Sequence, residues 1–279
     1  MYLFHPPTFD PGPLATAVGL ALLAHQIVTP LLHRRPIRRA RTLARDGDHS
    51  AIARWNRRSV WECLVQLVAV TVFVGSATVV TPVDLGIFWP VMITEPSGRG
   101  QVTMLFLLVF SVLSLVLGYA LSVRAARAER AGLPLPKGAL TPDQLSLIPR
   151  TAREQRARIL PIALTALTLP MVNFVVFYPL LCSLTGDPLT VLFLLLCLGY
   201  WTWSPQGRQV TLALGSLGAA GTFMFASDGS LLLPVALWAV YALQDVLCTR
   251  PFLGQEPAAP TLEVTVLDAD GAPVPRRDG

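Results

Sequence analysis

The side chains in this sequence that could do chemistry are few, and most are set in strongly apolar stretches. Trp238, Tyr241 and Asp245 fall at i, i+3 and i+7 within GSLLLPVALWAVYALQD, residues 229–245, so a helix there stacks all three along one stripe. Asp245 is the sole acid between Ser230 and Glu256. Glu62 and Gln66, spaced i and i+4, share a face of an earlier apolar run. His25, Gln26, Asn173 and Gln244 complete the polar groups inside such runs. An ionisable group in hydrocarbon is costly unless paired, so each is a functional candidate. Plainer readings stand beside these. Glu62 lies next to Arg57 and Arg58, and Asp245 lies near Arg250, both placed for interfacial salt bridges.

Reaction classes can be weighed against the same residues. Nucleophilic catalysis needs a base beside the nucleophile, and metal hydrolysis needs a cluster of His, Cys or carboxylate ligands. All four histidines (His5, His25, His33, His49) precede residue 50, and between Ile159 and Leu247 the only charges are Asp187, Arg208, Asp228 and Asp245. HExxH, GxSxG and glycine-rich phosphate loops are absent. Four separate cysteines, Cys63, Cys182, Cys197 and Cys248, form no CxxC pair and read as buried thiols. Nothing here calls for a cofactor or a metal. A proton or ion pathway would need several acids at mid-depth.

The elements that must carry these residues are membrane helices. The chain is 53% hydrophobic and 14% charged, with a mean hydropathy of +0.55. Apolar runs recur at the ~18-residue length that crosses ~30 Å of hydrocarbon. The pattern predicts an all-α, polytopic transmembrane helical bundle of about seven spans: 14–32, 60–80, 101–122, 159–183, 189–203, 209–226 and 231–247. Segment 83–94 is a candidate eighth, partial span. Nine of the 22 basic residues lie between Arg34 and Arg58, and eight between Arg124 and Arg158. Flanking spans directly, these clusters read as positive-inside anchors at the lipid surface, not as a nucleic-acid site. They place the N-terminus outside and the C-terminus inside the cytoplasmic membrane. The N-terminus lacks a basic leader, so the first run reads as a retained span.

Four segments follow. Residues 1–58 hold the first span and a basic loop, 59–158 two spans and a second basic loop, and 159–248 a four-helix core. Residues 249–279 form a tail, with a proline-containing linker and an alternating TLEVTVLDADG suggestive of a short strand pair. The sixth span is rich in small residues, and Gly215-xxx-Ala219 and Gly218-xxx-Thr222 would let a neighbour approach closely.

The order of landmarks resembles the CPBP family of intramembrane proteases, the CAAX prenyl endopeptidases and their bacteriocin-processing relatives. The landmarks are ARWNRRSVWECL, TPVDLGIFWP, IPRTAREQR, PLLCSLTGDPLTVLF, the QGR turn at Gln206–Arg208 and GSLLLPVALWAV, covering most of residues 30–248. The resemblance implies a Glu-Glu-xxx-Arg motif and a His on each of two later helices, with an Asn or Asp four residues after the second. This sequence departs at each place. Leu169, Pro170 and Phe174 stand for Glu, Glu and Arg, Trp203 and Trp238 for the two histidines, and Ala242 for the last partner. Indole cannot accept a proton or ligate a metal as imidazole does.

The expectation is therefore a binding or regulatory membrane scaffold with a family-like fold and no proteolysis. Its partners would be membrane lipid and a membrane protein or peptide. Alternatives are an active intramembrane endopeptidase using an atypical set that includes Glu62 or His25, and a transporter-like protein for a lipid or small molecule. A polar cavity among spans two, four, five and seven would favour the alternatives. A centre filled by Phe174, Trp203 and Trp238, touching Asn173 or Tyr178, would argue against both.

Overall fold

The computed structural model describes residues 11–45, 50–78, 80–90, 98–135, 145, 147–206 and 208–254. The described chain is helical, with no strand. In chain order, α1 is Gly12–Arg45, α2 Ser50–Ser76, α3 Gly98–Arg130 and α4 Ala152–Pro170. A π-helical turn, Met171–Phe177, joins α4 to α5, Tyr178–Thr185. Then come α6 (Pro188–Trp203), α7 (Arg208–Asp228) and α8 (Leu232–Thr249).

Six helical stretches are long and apolar enough to cross a membrane, the longest being Ala152–Thr185. The expected fifth span, α6, has 16 residues; at 1.5 Å per residue it reaches about 24 Å, short of the ~30 Å hydrocarbon core. Apolar side chains on the outer faces, such as Val65, Val68 and Phe223, are well exposed, as a lipid-facing surface requires.

Three expectations need correction. The basic segment 33–58 is no loop: α1 runs on through Arg45, and α2 begins at Ser50. Residues 83–90 form turns and irregular backbone instead of a partial span, and 91–94 lie outside the described residues. Cys197 is exposed, unlike buried Cys63 and Cys182. The tail beyond residue 254, with its expected strands, also lies outside the described residues.

Local chemistry explains the breaks. Pro170 and Pro179 lack the N–H that an α-helix needs, and the widened turn lies between them, closed by a bond from the Tyr178 amide to the Asn173 carbonyl. Thr151 and Glu154 form a reciprocal capping box that starts α4. Asp187 caps α6, accepting from the Thr190 hydroxyl and from the Thr190 and Leu189 amides at 3.1 and 3.2 Å, and these bonds, the hydroxyl's first, hold its carboxyl below the usual carboxylate range.

Two loops are pinned to helix ends. The Ser230 hydroxyl donates to Phe88 O and the Leu231 amide to Gly86 O, both at 2.8 Å, so residues 86–88 brace the start of α8. At the basic end, Arg150 makes a two-pronged bond to Glu129, with both N···O distances 2.9 Å, and its guanidinium lies over Phe252. In the small-residue helix, Gly215 meets Tyr200 of α6, whereas Gly218 faces open space.

Gly86 has φ +69°, and a Cβ there would stand 2.6 Å from Gly229 O; Gly132 has φ +64° with open space around it. Gly132→Ala should cost only the left-handed backbone penalty, about 1 kcal/mol. Gly86→Ala should cost about 3 kcal/mol, because overpacking adds to that penalty. Thermal unfolding of the two variants in detergent compares them directly.

Candidate functional site

Helices α1 and α2 run antiparallel, with Gly12 near Ser76, Gly19 near Phe73, and His33 bonded to Glu62. Each turns a stripe toward the bundle interior: Gln26, Thr29, His33, Ile37 and Arg41 on α1, and Ile52, Asn56, Ser59, Glu62, Cys63 and Gln66 on α2. The three- and four-residue steps are those of one helix face. With Arg158, Thr165 and Leu169 of α4, Trp203 of α6, and Trp238, Tyr241 and Asp245 of α8, they line a cavity of about 480 Å³. Small-molecule sites commonly span roughly 300–1,000 Å³.

The charges on this wall are already committed. Arg158 donates through Nε and Nη2 to the two oxygens of Asp245 at 2.9 and 2.8 Å, and through Nη1 to Leu147 O at 3.0 Å. One turn earlier, Gln155 donates to Val246 O at 3.1 Å, so α4 and α8 are clamped over two turns. Glu62 accepts from Arg58 Nε at 2.7 Å and lies 3.1 Å from His33 Nε2. In low-dielectric surroundings a carboxylate without such a partner would be strongly disfavoured. At the inner end Gln26 donates to Thr202 at 3.0 Å, and Trp201 Nε1 donates to Ile27 O at 2.8 Å, tying α1 to α6.

Trp203 and Trp238 stack with ring centroids 6.0 Å apart, and Trp238 meets Tyr241 edge-on at 5.8 Å. Trp238 is buried with Ala166 and Leu214, and Leu169 and Ala242 pack against this cluster. The expected filling of the centre is not found: the indoles stack at one side and leave the cavity open beside them, its exposed wall mostly apolar. Phe174 belongs to a different cluster: it stacks on Phe225 at 4.4 Å, and Tyr178 meets the same ring edge-on.

The structure thus brings Glu62, Gln66, Asp245, Leu169, Trp203 and Trp238 to one cavity and leaves other candidates elsewhere. Gln244 points to α3, donating to Ser114 O at 3.3 Å above Gly118. Asn173 sits half-buried in the π-turn, Pro170 is buried at its start, and His25 is exposed. Asp245 pairs with Arg158, 87 residues away, and not with nearby Arg250.

Sequence reasoning missed Arg158, His33 and Thr168. Arg158 closes the second basic cluster in the sequence, yet it stands two turns inside a capped helix that runs on into an apolar span. The step from Gln26 through Thr29 to His33 was a readable polar stripe. Among the described residues no group of three or more His, Cys, Asp or Glu could hold a metal. Comparison with protein-family models, characterised proteins and solved structures returns no match.

Asp245→Asn would leave the Arg158 guanidinium without its counter-ion. A stability loss of about 3 kcal/mol is expected, as for a broken, largely buried pair. The double replacement Arg158→Leu with Asp245→Leu should recover most of it, because no unpaired charge remains. Unfolding of both variants in detergent, followed by exposure of the Cys63 thiol, measures the difference.

Proposed function

We propose that this chain is a non-catalytic membrane protein of the CPBP-protease-like kind, a binding or regulatory scaffold that engages a ligand or a membrane partner through its interior cavity. The observation that carries this reading is the state of the cavity wall. Each wall carboxylate, Glu62 and Asp245, already holds a cation. A general base or a metal-activated water needs a carboxylate or imidazole free to take a proton or a ligand.

The positions that the family resemblance makes catalytic support the same reading. Leu169, Trp203 and Trp238 sit on or beside the cavity as apolar and aromatic surface. An indole and a leucine can shape a binding wall, but they cannot relay protons. The basic ends of α1, α3 and α4 support an orientation with Arg34–Arg45 and Arg124–Arg158 inside and the Asp187 turn outside. In that frame the cavity runs from the cytoplasmic surface toward the middle of the bilayer.

An endopeptidase of atypical design is the competing reading, favoured by the contact between His33 and Glu62 in the cavity wall. Its test is a peptidase assay on detergent-purified protein with prenylated and unprenylated CAAX peptides. The expected outcome is no turnover above that of buffer and detergent. Turnover that Glu62→Gln or Asp245→Asn abolishes, in variants that still unfold cooperatively, would overturn the scaffold reading.

A further inference from the structure

Resting on that non-catalytic reading, we propose that the cavity binds a neutral, single-chain lipid-like molecule, and that Gln66 and Thr168 recognise a hydrogen-bonding group on it, an ester, amide or hydroxyl.

The shape comes first. The α1 stripe that lines the cavity runs from Gln26 to Arg41, a rise of about 22 Å at 1.5 Å per residue. Its length along the helix suits an extended chain. Its exposed wall is predominantly apolar.

Charge comes second. The charged groups on the wall, with His33, are Arg41, Glu62, Arg158 and Asp245, and every one is engaged with a partner; Cys63, Cys248 and Tyr241 add two thiols and a phenol. A ligand ion would enter low-dielectric surroundings with no counter-charge waiting, and it would compete with pairs already made. Neutral ligands carry no such penalty.

Unspent polar groups among the described residues come third; Asn56 and Ser59 are two of them, near the basic end, and Gln66 and Thr168 are two that stand together deeper in the cavity. Among the described residues, the carboxamide of Gln66 makes no hydrogen bond. The Thr168 hydroxyl, 1% exposed, has only the weakly polar Cys63 thiol beside it. Cys63 lies 3.6 Å from Thr165 across parallel α2 and α4, and one turn further on these helices bring Gln66 and Thr168 to the same level. A buried donor or acceptor left without a partner is costly, so a cavity wall that presents a hydroxyl and an amide together fits a neutral oxygen or amide group. Trp203, Trp238 and Leu169 flank that level and supply the apolar contact on either side.

The experiment uses full-length protein in detergent micelles with the strongly exposed Trp61 and Trp89, 64% and 72% exposed, replaced by Phe. A monoacylglycerol with a brominated chain is titrated while tryptophan quenching is followed. A brominated fatty carboxylate and a brominated alkane of equal chain length serve as comparisons. Saturable quenching by the monoacylglycerol is expected, at least tenfold tighter than by the ionised carboxylate. Gln66→Leu with Thr168→Val, both near-isosteric, should weaken monoacylglycerol about tenfold and leave the alkane unchanged. Leu169→Trp, which narrows the cavity, should weaken all three. Equal or tighter binding of the carboxylate overturns the proposal, as does a Gln66→Leu/Thr168→Val variant with unchanged affinity, or quenching that never saturates. Peptidase turnover is scored separately, so loss of the non-catalytic reading and loss of the lipid site give different results.

Discussion

A charge inside an apolar bundle must find its counter-charge, and in this protein that requirement decides which helices stand together. The two-pronged bond between Arg158 and Asp245 joins α4 to α8 through residues 87 apart in the chain. Gln155 extends the clamp by a turn, and Arg158 also reaches back to Leu147 in the preceding segment. Glu62 plays the same part on the other wall, drawing in Arg58 from its own helix and His33 from α1. The gain over hydrophobic residues of the same shape is small or negative, but one partner without the other is strongly unfavourable. Such pairs therefore specify register and neighbours more than they add stability.

The cavity lies among these pairings. Helices α1, α2, α4 and α8, with the end of α6, surround it, and the paired heads of Arg158, Asp245, Glu62 and His33 stand on its wall. Elsewhere the packing is dense. Phe73, Val176, Phe177, Tyr178 and Phe225 are almost fully buried around the π-turn, and Gly19 admits Phe73 and Leu180 where a larger residue would clash. The prolines that force the π-turn thus sit in the packed half, where neighbouring helices shield the loosened backbone. The ion pairs sit in the open half. The result is a densely packed half around the π-turn and a hollow half near the basic end.

Much of this was legible in the chain. Hydropathy and length marked the apolar helices, and the Arg clusters marked one end of the bundle. The Trp238–Tyr241–Asp245 stripe does face the cavity, because three residues at i, i+3 and i+7 must share a helix face whatever surrounds them. Helix ends were less legible. The basic run after Leu32 looks like a loop because its arginines end the apolar stretch and flank a span. It continues as helix because Arg side chains are good helix formers and α1 presents Ile37 and Arg41 to the same groove as His33.

What the sequence by itself determined is the inventory: which segments are apolar enough for a membrane, which end is basic, and which few polar residues must find partners. Only the tertiary structure decided the partners. Asp245 chose distant Arg158 over neighbouring Arg250, Phe174 left the tryptophans for Phe225, and Trp203 and Trp238 stacked beside a cavity without closing it. The reason is range. Helical periodicity is a local property of a few consecutive residues, whereas an ion pair or a cavity wall is made by helices brought together from distant parts of the chain, and no local pattern records which face meets which.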